Sequence, residues 1–365
     1  MASRGGAEDS WSDRRLTDML GIEHAIVLAP MAGVATPALA GAVAKGGGLG
    51  SLGCATMQPG GVRQAIAELR ALTRGPINVN FFCHVPARAD AAREMVWRAR
   101  LAPYFDEYGL DPAVAAPAAD VATFDDARCA AVEEMRPEVV SFHFGLPEPD
   151  LLARVKATGC RVTSSATTVE EARWLEARGV DFIIAQGNEA GGHRGGFLTA
   201  PDGVASRAGT LALVPQVVDA VSVPVIAAGG IADARGIAAA LALGAAGVQI
   251  GTAYLLCPEA ATSPLYRDAL RRTPADATVV TNLFTGRPAR AIGNRLTRDL
   301  GPIQQDLPDF ALPAAVLAPL RAAAERRGSG DFSPFWAGQA ASLAVEMPAE
   351  ALTRALADAA LRACR

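Results

Sequence analysis

The chain has 365 residues, of which 50% are hydrophobic and 5% aromatic, and its formal net charge at pH 7 is −4. This length allows one large domain with an appendage, or two domains. The acidic balance and the scarcity of aromatic residues argue against a nucleic-acid partner, and no basic amphipathic helix favours a membrane surface.

The amino terminus has no apolar stretch typical of a secretory signal, and we expect residues 1–10 to form a disordered tail. The longest apolar stretches, such as 236–250, are interrupted by glycine and too short to span a bilayer. Six cysteines are scattered without a CxxC pair, so we expect reduced thiols and a cytoplasmic location. No carboxylate lies at ligand spacing with a histidine pair, and we therefore predict no metal site.

Eight short apolar or β-branched segments recur along the chain, and each is followed by a helical pattern. They are Ala25–Met31, Gly48–Gly53, Ile77–Phe82, Val139–Gly145, Arg161–Ala166, Phe182–Gly187, Val223–Gly230 and Gly247–Tyr254. Several are apolar at every position, as expected for parallel strands covered by helices. Eight repeats in about 250 residues predict a TIM (β/α)8 barrel, with a doubly wound open sheet as the alternative.

Two segments depart from this repeat. The connection 83–138 is too long for an ordinary loop and includes a helical pattern at Glu94–Leu101, which predicts an elaborated connection after the third strand. Beyond the predicted barrel, residues 11–257, the chain is helical in pattern and punctuated by proline. We expect residues 258–365 to form a helical extension that covers the active-site face.

The last two predicted strands end in glycine-containing turns, AAGGIAD (227–233) and QIGT (249–252). Active sites of TIM barrels form at the carboxyl ends of the strands, and the last two loops commonly bind phosphate. Gly229, Gly230 and Gly251 would expose backbone N–H groups to an anion, and Thr252 could add its hydroxyl. Asp233 is predicted to cap the next helix. The alternative is that these glycines only permit tight packing at the end of the barrel.

Two amides end other strands. Asn80 lies near the end of the third strand and Gln186 ends the sixth. An amide donates and accepts at once, which suits the pyrimidine edge of a flavin. Either amide could equally be a satisfied group of the core. Met31, after the first strand, could support the flavin ring.

Two histidines complete the predicted site. His193 lies in the glycine-rich loop AQGNEAGGHRG (185–195), and His143 lies near the end of the fourth strand. An imidazole can accept a proton from an acidic C–H or stabilise an anion, so we predict both as catalytic residues. For His143, a role in the core remains an equal alternative. Glu189 is expected to be a solvated charge of the loop.

Six stretches together resemble nitronate monooxygenases. They are APMAG (29–33), INVNFF (77–82), SFHFGLP (141–147), AQGNEAGGHRG (185–195), VPVIAAGGIADARG (223–236) and QIGTAYL (249–255). The resemblance covers roughly residues 15–256. It implies an FMN-bound TIM barrel that oxidises alkyl nitronates, such as propionate-3-nitronate, or nitroalkanes with O2, giving a carbonyl compound and nitrite.

The resemblance also implies roles for individual residues. It places FMN contacts at Ala29, Pro30, Met31, Asn80, Gln186, Gly191, Gly230, Gln249, Gly251 and Thr252. It matches His193 to the active-site histidine of the family and His143 to a second histidine of one branch. That branch lines its substrate pocket with several tyrosines and a lysine, whereas this chain has four tyrosines and no lysine after residue 156. A homodimer is left open.

Two other functions remain as alternatives. An FMN-dependent enoyl-acyl-carrier-protein reductase shares segments similar to APMAG, EAGGH and VIAAGGI, and it would use NAD(P)H. A flavin-binding protein without turnover is the second alternative. The absence of a GxGxxG motif opening a Rossmann unit agrees with a function that needs no nicotinamide.

Overall fold

The computed structural model describes residues 11–114, 121–198 and 207–364, so the predicted tail at 1–10 lies outside the described residues. Eight parallel strands form the main sheet, which confirms the predicted TIM barrel. They are β1 (Ile26–Leu28), β2 (Gly50–Gly53), β3 (Ile77–Phe82), β4 (Val139–His143), β5 (Arg161–Ala166), β6 (Phe182–Gln186), β8 (Val225–Ala228) and β9 (Gly247–Ile250). A second, antiparallel sheet contains β7 (Gly192–His193), β10 (Thr278–Thr281) and β11 (Ala289–Ile292).

The barrel is closed between its first two strands. Along the sheet the order is β1-β9-β8-β6-β5-β4-β3-β2, and a parallel bridge joins Val27 to Leu49. Leu28 N donates to Leu49 O, and Leu49 N donates to Ile26 O, both at 2.9 Å. These bonds remove the free edges that an open sheet would leave, which excludes the doubly wound alternative.

Helices follow most of the barrel strands and also occur in the connection after β3 and in the extension. In chain order they are α1 (Arg15–Leu20), α2 (Pro37–Lys45), α3 (Pro59–Leu72), α4 (Ala91–Tyr108), α5 (Asp126–Met135), α6 (Pro149–Ala157), α7 (Val169–Glu176), α8 (Thr210–Val218), α9 (Ala234–Ala242), α10 (Pro264–Arg272), α11 (Arg295–Leu300), α12 (Leu312–Arg326) and α13 (Ala349–Ala363). Side-chain caps fix several of their starts. The hydroxyl of Thr36, for example, accepts from Leu39 N at 3.0 Å, and a cap of this kind is worth about 1 kcal/mol.

Strand β3 illustrates how the sequence directs the barrel. Ile77, Val79 and Phe81 are fully buried and join the core shared with the surrounding helices. Asn78 and Asn80 alternate with them, and both donate from Nδ2 to serine hydroxyls of neighbouring strands at 3.0 Å. Burial of each such apolar side chain contributes about 1.5–3 kcal/mol. The alternation therefore directs apolar groups to the helices and leaves Asn80 near the cavity.

Helix α13 occupies the eighth helical position of the barrel. It packs against α9, which follows β8, and against α2, which follows β1. The hydroxyl of Tyr254, just after β9, lies 2.9 Å from the hydroxyl of Thr353. The barrel is thus completed by a helix that begins about a hundred residues beyond its last strand, and the expected division at residue 257 placed this helix in the extension.

The rest of the extension lies near the carboxyl ends of the strands and is not purely helical. The hairpin of β10 and β11 pairs with β7, so that Ala289 is opposite His193 and Arg290 is opposite Gly192. Helix α12 packs against α4 of the elaborated connection. The sequence predicted His193 in a loop; it instead lies in a short strand that the extension holds in place.

Candidate active site

All the residues predicted for cofactor binding or catalysis line one cavity of about 410 Å3 at the carboxyl ends of the barrel strands. They are Ala29, Pro30, Met31, Asn80, His143, Gln186, Gly191, His193, Gly229, Gly230, Gln249, Gly251 and Thr252. The extension adds further lining residues from its hairpin, from α12 and from the segment 334–340. The cavity is therefore enclosed by parts of the chain that are far apart in sequence.

The turns after β8 and β9 contain backbone donors without acceptors. Gly229 and Gly230 have φ values of 116° and 69°, which side chains rarely adopt. Within the described part of the chain, the N–H groups of Gly230 and Thr252 donate to no acceptor. Asp233 caps α9 through Arg235 N and Gly236 N, as the sequence predicted, so the free donor of Gly230 lies before that helix. Such donors suit an anionic group.

Thr252 retains a donor toward the cavity. Its hydroxyl oxygen accepts from Gly338 N at 3.0 Å, which leaves its proton available to an anion. A Cβ on Gly191 would lie 2.6 Å from the same Gly338 N. Gly191 is therefore required for the close approach of the segment 334–340, whether or not it contacts a cofactor.

Glu189 differs from its predicted role as a solvated loop charge. Its carboxylate accepts from Thr210 N at 2.8 Å and from the Thr210 hydroxyl at 3.0 Å. Its backbone oxygen accepts from Gln339 N at 2.9 Å. Glu189 thus joins the start of α8 to the extension beside the glycine turn.

Two amide side chains at the cavity differ in their hydrogen bonding. Gln249 Oε1 is buried and has no hydrogen-bond partner among the described residues. Asn80 Nδ2 is shared between the backbone oxygen and the hydroxyl of Ser141, at 3.1 and 3.0 Å. A buried acceptor without a donor costs about 1–3 kcal/mol. Because Gln249 also lines the cavity, its free Oε1 is available to a ligand N–H group, and this fits a flavin.

The carbonyl group of His193 is held by two side chains of the barrel. Gln186 Nε2 donates to it at 2.9 Å, and His143 Nε2 lies 3.2 Å from it. Because a carbonyl only accepts, we assign the proton of His143 to Nε2, and its Nδ1 then accepts from the Ser165 hydroxyl at 3.1 Å. Gln186 Oε1 accepts from Gly195 N at 2.8 Å. These contacts fix the backbone at His193.

The contacts of His143 and Gln186 differ from those expected. The sequence predicted that His143 would act on substrate and that Gln186 would face a flavin edge. Both residues line the cavity, but Gln186 bonds to the backbone of His193 and Gly195, and His143 bonds to the backbone oxygen of His193 and to the Ser165 hydroxyl. Burial lowers the pKa of His143 to about 4, so it is neutral at neutral pH.

His193 is surrounded by aromatic side chains. Its ring centroid lies 5.3 Å from those of Phe310 and Trp336, and its Nε2 lies 2.9 Å from the Thr285 hydroxyl. Burial, followed by the charges of His143, Arg287 and His84, lowers the pKa of His193 to about 3. The ring is therefore neutral at neutral pH and offers one donor and one acceptor.

A half-buried cation, Arg287, lies beside this group of histidines. Arg287 donates to Gly196 O at 2.9 Å, and its guanidinium lies 4.1 Å from the ring centroid of Phe144. Burial lowers the pKa of Arg287 to about 10, and its charge helps to lower the pKa of His84 to about 4. His84 is buried against Phe144 and Phe310, so it belongs to the support of the site rather than to the surface.

We expect the free energy of unfolding to fall as the pH is lowered from about 6.5 towards 4. His84, His143 and His193 have folded-state pKa values of about 4, 4 and 3, against 6.5 when exposed. In this window the unfolded chain binds protons that the folded chain does not, so stability is lost as the pH falls. Each group contributes up to about 1.4 kcal/mol per pH unit. Urea unfolding across this range measures the slope.

His193→Asn provides the comparison for this slope, because it removes one of the three groups. The variant should lose less stability between about pH 6.5 and 5, where few carboxylates titrate. Equal slopes for both proteins would contradict the shifted pKa of His193.

Several residues of the site were not predicted from the sequence, including Phe82, Arg287, Phe310, Thr285 and Trp336. A local signal existed for the hairpin, since Gly286 and Pro288 separate the short segments TVVT (278–281) and ARAI (289–292). No local pattern indicates that this hairpin pairs with residues 192–193.

Two negative findings apply to the described part of the chain. No group of three or more His, Cys, Asp or Glu side chains there could hold a metal ion. Nor is any helix in that part long and apolar enough to cross a membrane.

Comparisons with known proteins agree with this geometry. The family model of nitronate monooxygenase matches residues 13–358. A nitronate monooxygenase of Paraburkholderia phytofirmans is 47% identical over 95% of both chains. That of Pseudomonas aeruginosa is 46% identical over 94% of this chain and 98% of its own.

Two solved structures are also similar to this chain over nearly its whole length. A nitroalkane oxidase from Streptomyces ansochromogenes superposes with a TM-score of 0.86 at 38% identity, over 96% of this chain and 98% of its own. FabK from Thermotoga maritima superposes with a TM-score of 0.73 at 30% identity, over 97% of both chains.

Proposed function

Because the chain belongs to the nitronate monooxygenase family, we propose that it oxidises alkyl nitronates with O2 to a carbonyl compound and nitrite, with FMN as its bound flavin. The observation that carries the proposal is that one cavity contains both the glycine turns after β8 and β9 and the side chain of His193. We also propose a cytoplasmic location. The oligomeric state is left open.

FMN is favoured as the flavin because the cavity offers partners for both of its polar ends. The free N–H groups of Gly230 and Thr252 and the hydroxyl proton of Thr252 suit a terminal phosphate. The unpartnered Oε1 of Gln249 suits an N–H of the ring's pyrimidine edge. When bound, the flavin would take electrons from the substrate and pass them to O2.

The lowered pKa of His193 favours a nitronate over a neutral nitroalkane as the substrate. A base with a pKa of about 3 has little driving force to remove a proton from carbon. A nitronate is already ionised and needs only to be oriented. We propose that the neutral ring of His193 donates a hydrogen bond to the nitronate, while the carbonyl contacts from Gln186 and His143 hold His193 in position.

Anaerobic mixing separates the candidate functions. The yellow, FMN-loaded protein is mixed with propionate-3-nitronate and, in a separate experiment, with NADPH, and flavin absorbance is followed. We expect the nitronate to bleach the flavin and NADPH to leave it oxidised. Admission of O2 should then restore the colour and release nitrite.

The other outcomes have distinct meanings. Rapid bleaching by NADPH alone would favour the enoyl-acyl-carrier-protein reductase alternative. Bound flavin that neither compound reduces would favour a flavin-binding protein without turnover. A protein that cannot be loaded with FMN at all would contradict every one of these functions.

A further inference from the structure

One face of α12 forms part of the cavity wall. Ala314, Leu317, Ala318 and Arg321 all line the cavity, and their spacing of three, one and three residues places them on one side of the helix. Three of these side chains are apolar, and two of them are only methyl groups. This wall is therefore open and apolar until it reaches Arg321.

Arg321 differs in charge from the other described residues of the cavity lining. No Asp, Glu or Lys lines the cavity there, and His143 and His193 are neutral at neutral pH. Arg321 is thus the single permanent charge among the described lining residues. A cation placed alone on an otherwise apolar wall favours a ligand with an anionic end.

Arg321 has N–H donors that bond to no described residue. Its Nε donates to Glu325 at 2.8 Å, and Glu325 also accepts from the Ser333 hydroxyl at 2.7 Å. The two terminal nitrogens of Arg321 make no hydrogen bond to a described residue, and its side chain is 47% exposed. A guanidinium with free terminal N–H groups can bind a carboxylate through two hydrogen bonds.

The helix sets a distance between the two ends of the cavity. Phe310, just before α12, contacts the ring of His193, and Ala314 is the first residue of α12 on the cavity wall. Arg321 is seven residues beyond Ala314, which corresponds to about 10 Å along the helix axis. We therefore expect a substrate that reaches both His193 and Arg321 to be longer than a three-carbon nitronate.

We propose that Arg321 is a specificity-determining residue that binds a remote carboxylate of elongated nitronate substrates. This inference rests on the proposed oxidation of nitronates. The nitronate group lies at His193, the alkyl chain follows the small side chains of Ala314 and Ala318, and the carboxylate pairs with the free edge of Arg321.

The test compares nitronates in pairs of equal chain length, with and without a terminal carboxylate, from three to about ten carbons. For each pair, nitrite release gives the ratio of kcat/KM for the acid to that for the neutral compound. We expect this ratio to rise with chain length and, for the longer acids, to fall about tenfold in Arg321→Gln through KM. Partial exposure of the pair keeps the effect moderate.

Arg326→Gln is the matched control, because Arg326 is exposed on the same helix and does not line the cavity. It should leave the ratio at the wild-type value. Turnover of nitronates without any advantage for the longer acids, or an unchanged ratio in Arg321→Gln, would overturn this inference alone. Failure of every nitronate to reduce the flavin would overturn the proposed function itself.

Discussion

His193→Asn is expected to retain bound flavin and to lower the turnover of nitronates by about 10²-fold, the usual scale for a positioned acid–base or donor group. Asparagine keeps a polar side chain but moves its donor away from the position of the imidazole. The glycine turns that would hold the phosphate belong to other strands and should be unaffected. Stopped-flow reduction of the flavin by propionate-3-nitronate, together with flavin content by absorbance, measures both properties.

His143→Gln is the companion variant. Nε2 of His143 contacts the backbone oxygen of His193 among the described residues, and Gln186 donates to the same oxygen. We therefore expect a smaller loss of flavin reduction, about tenfold, since one of two supporting hydrogen bonds remains. Equal losses in the two variants would mean that His143 contacts the substrate itself. A wild-type rate in His193→Asn would remove His193 from the mechanism.

The barrel could be predicted because its signals are local. Each strand is a short apolar segment with a helix after it. The bridge that closes the barrel joins two ordinary apolar residues, Val27 and Leu49. The position of the site followed from the same pattern, since side chains after parallel strands meet at one end of a barrel. This is why residues as far apart as Met31 and Thr252 could be assigned to one cavity from their places after strands.

The state of the polar groups could not be predicted in the same way. Asn80, Gln186 and Gln249 are similar amides at similar places, yet only Gln249 Oε1 is buried without a partner. The difference arises from neighbours distant in sequence, such as Ser141 beside Asn80. Hydrogen-bond partners depend on distances that residue patterns do not encode.

The contacts of the extension were harder to predict from the sequence, because they join residues that are far apart in the chain. Thr285 and Trp336 reach His193 from beyond the barrel strands, and α13 returns to fill the eighth helical position. The helical pattern of α13 predicts a helix, but a helix can pack on any apolar surface of suitable shape. The pairing of β11 with β7 brings the hairpin to His193, and no local sequence pattern indicates this pairing.

Gly251→Asp is expected to weaken FMN binding by about 10²-fold or more relative to Gly251→Asn. Gly251 has a φ of −114°, so a side chain needs no strained backbone, and its Cβ would lie 3.2 Å from Ala29 Cβ and 3.6 Å from Met31 Sδ. Both variants add nearly the same volume. Asp also places a negative charge beside the proposed phosphate, and two unit charges 4 Å apart repel by about 4 kcal/mol near a protein surface. Fluorescence titration of the apoproteins gives both dissociation constants.

Riboflavin, which lacks the phosphate, makes this comparison decisive. If the turns after β8 and β9 bind the phosphate, Asp and Asn at position 251 should bind riboflavin with similar affinity and differ only for FMN. A loss of riboflavin binding as large as that of FMN would place the ring, not the phosphate, against Gly251. Equal FMN affinities in the two variants would contradict the phosphate site, because charge is the property in which they differ. The free N–H groups of Gly230 and Thr252 favour the first outcome, since backbone donors without acceptors suit an anion.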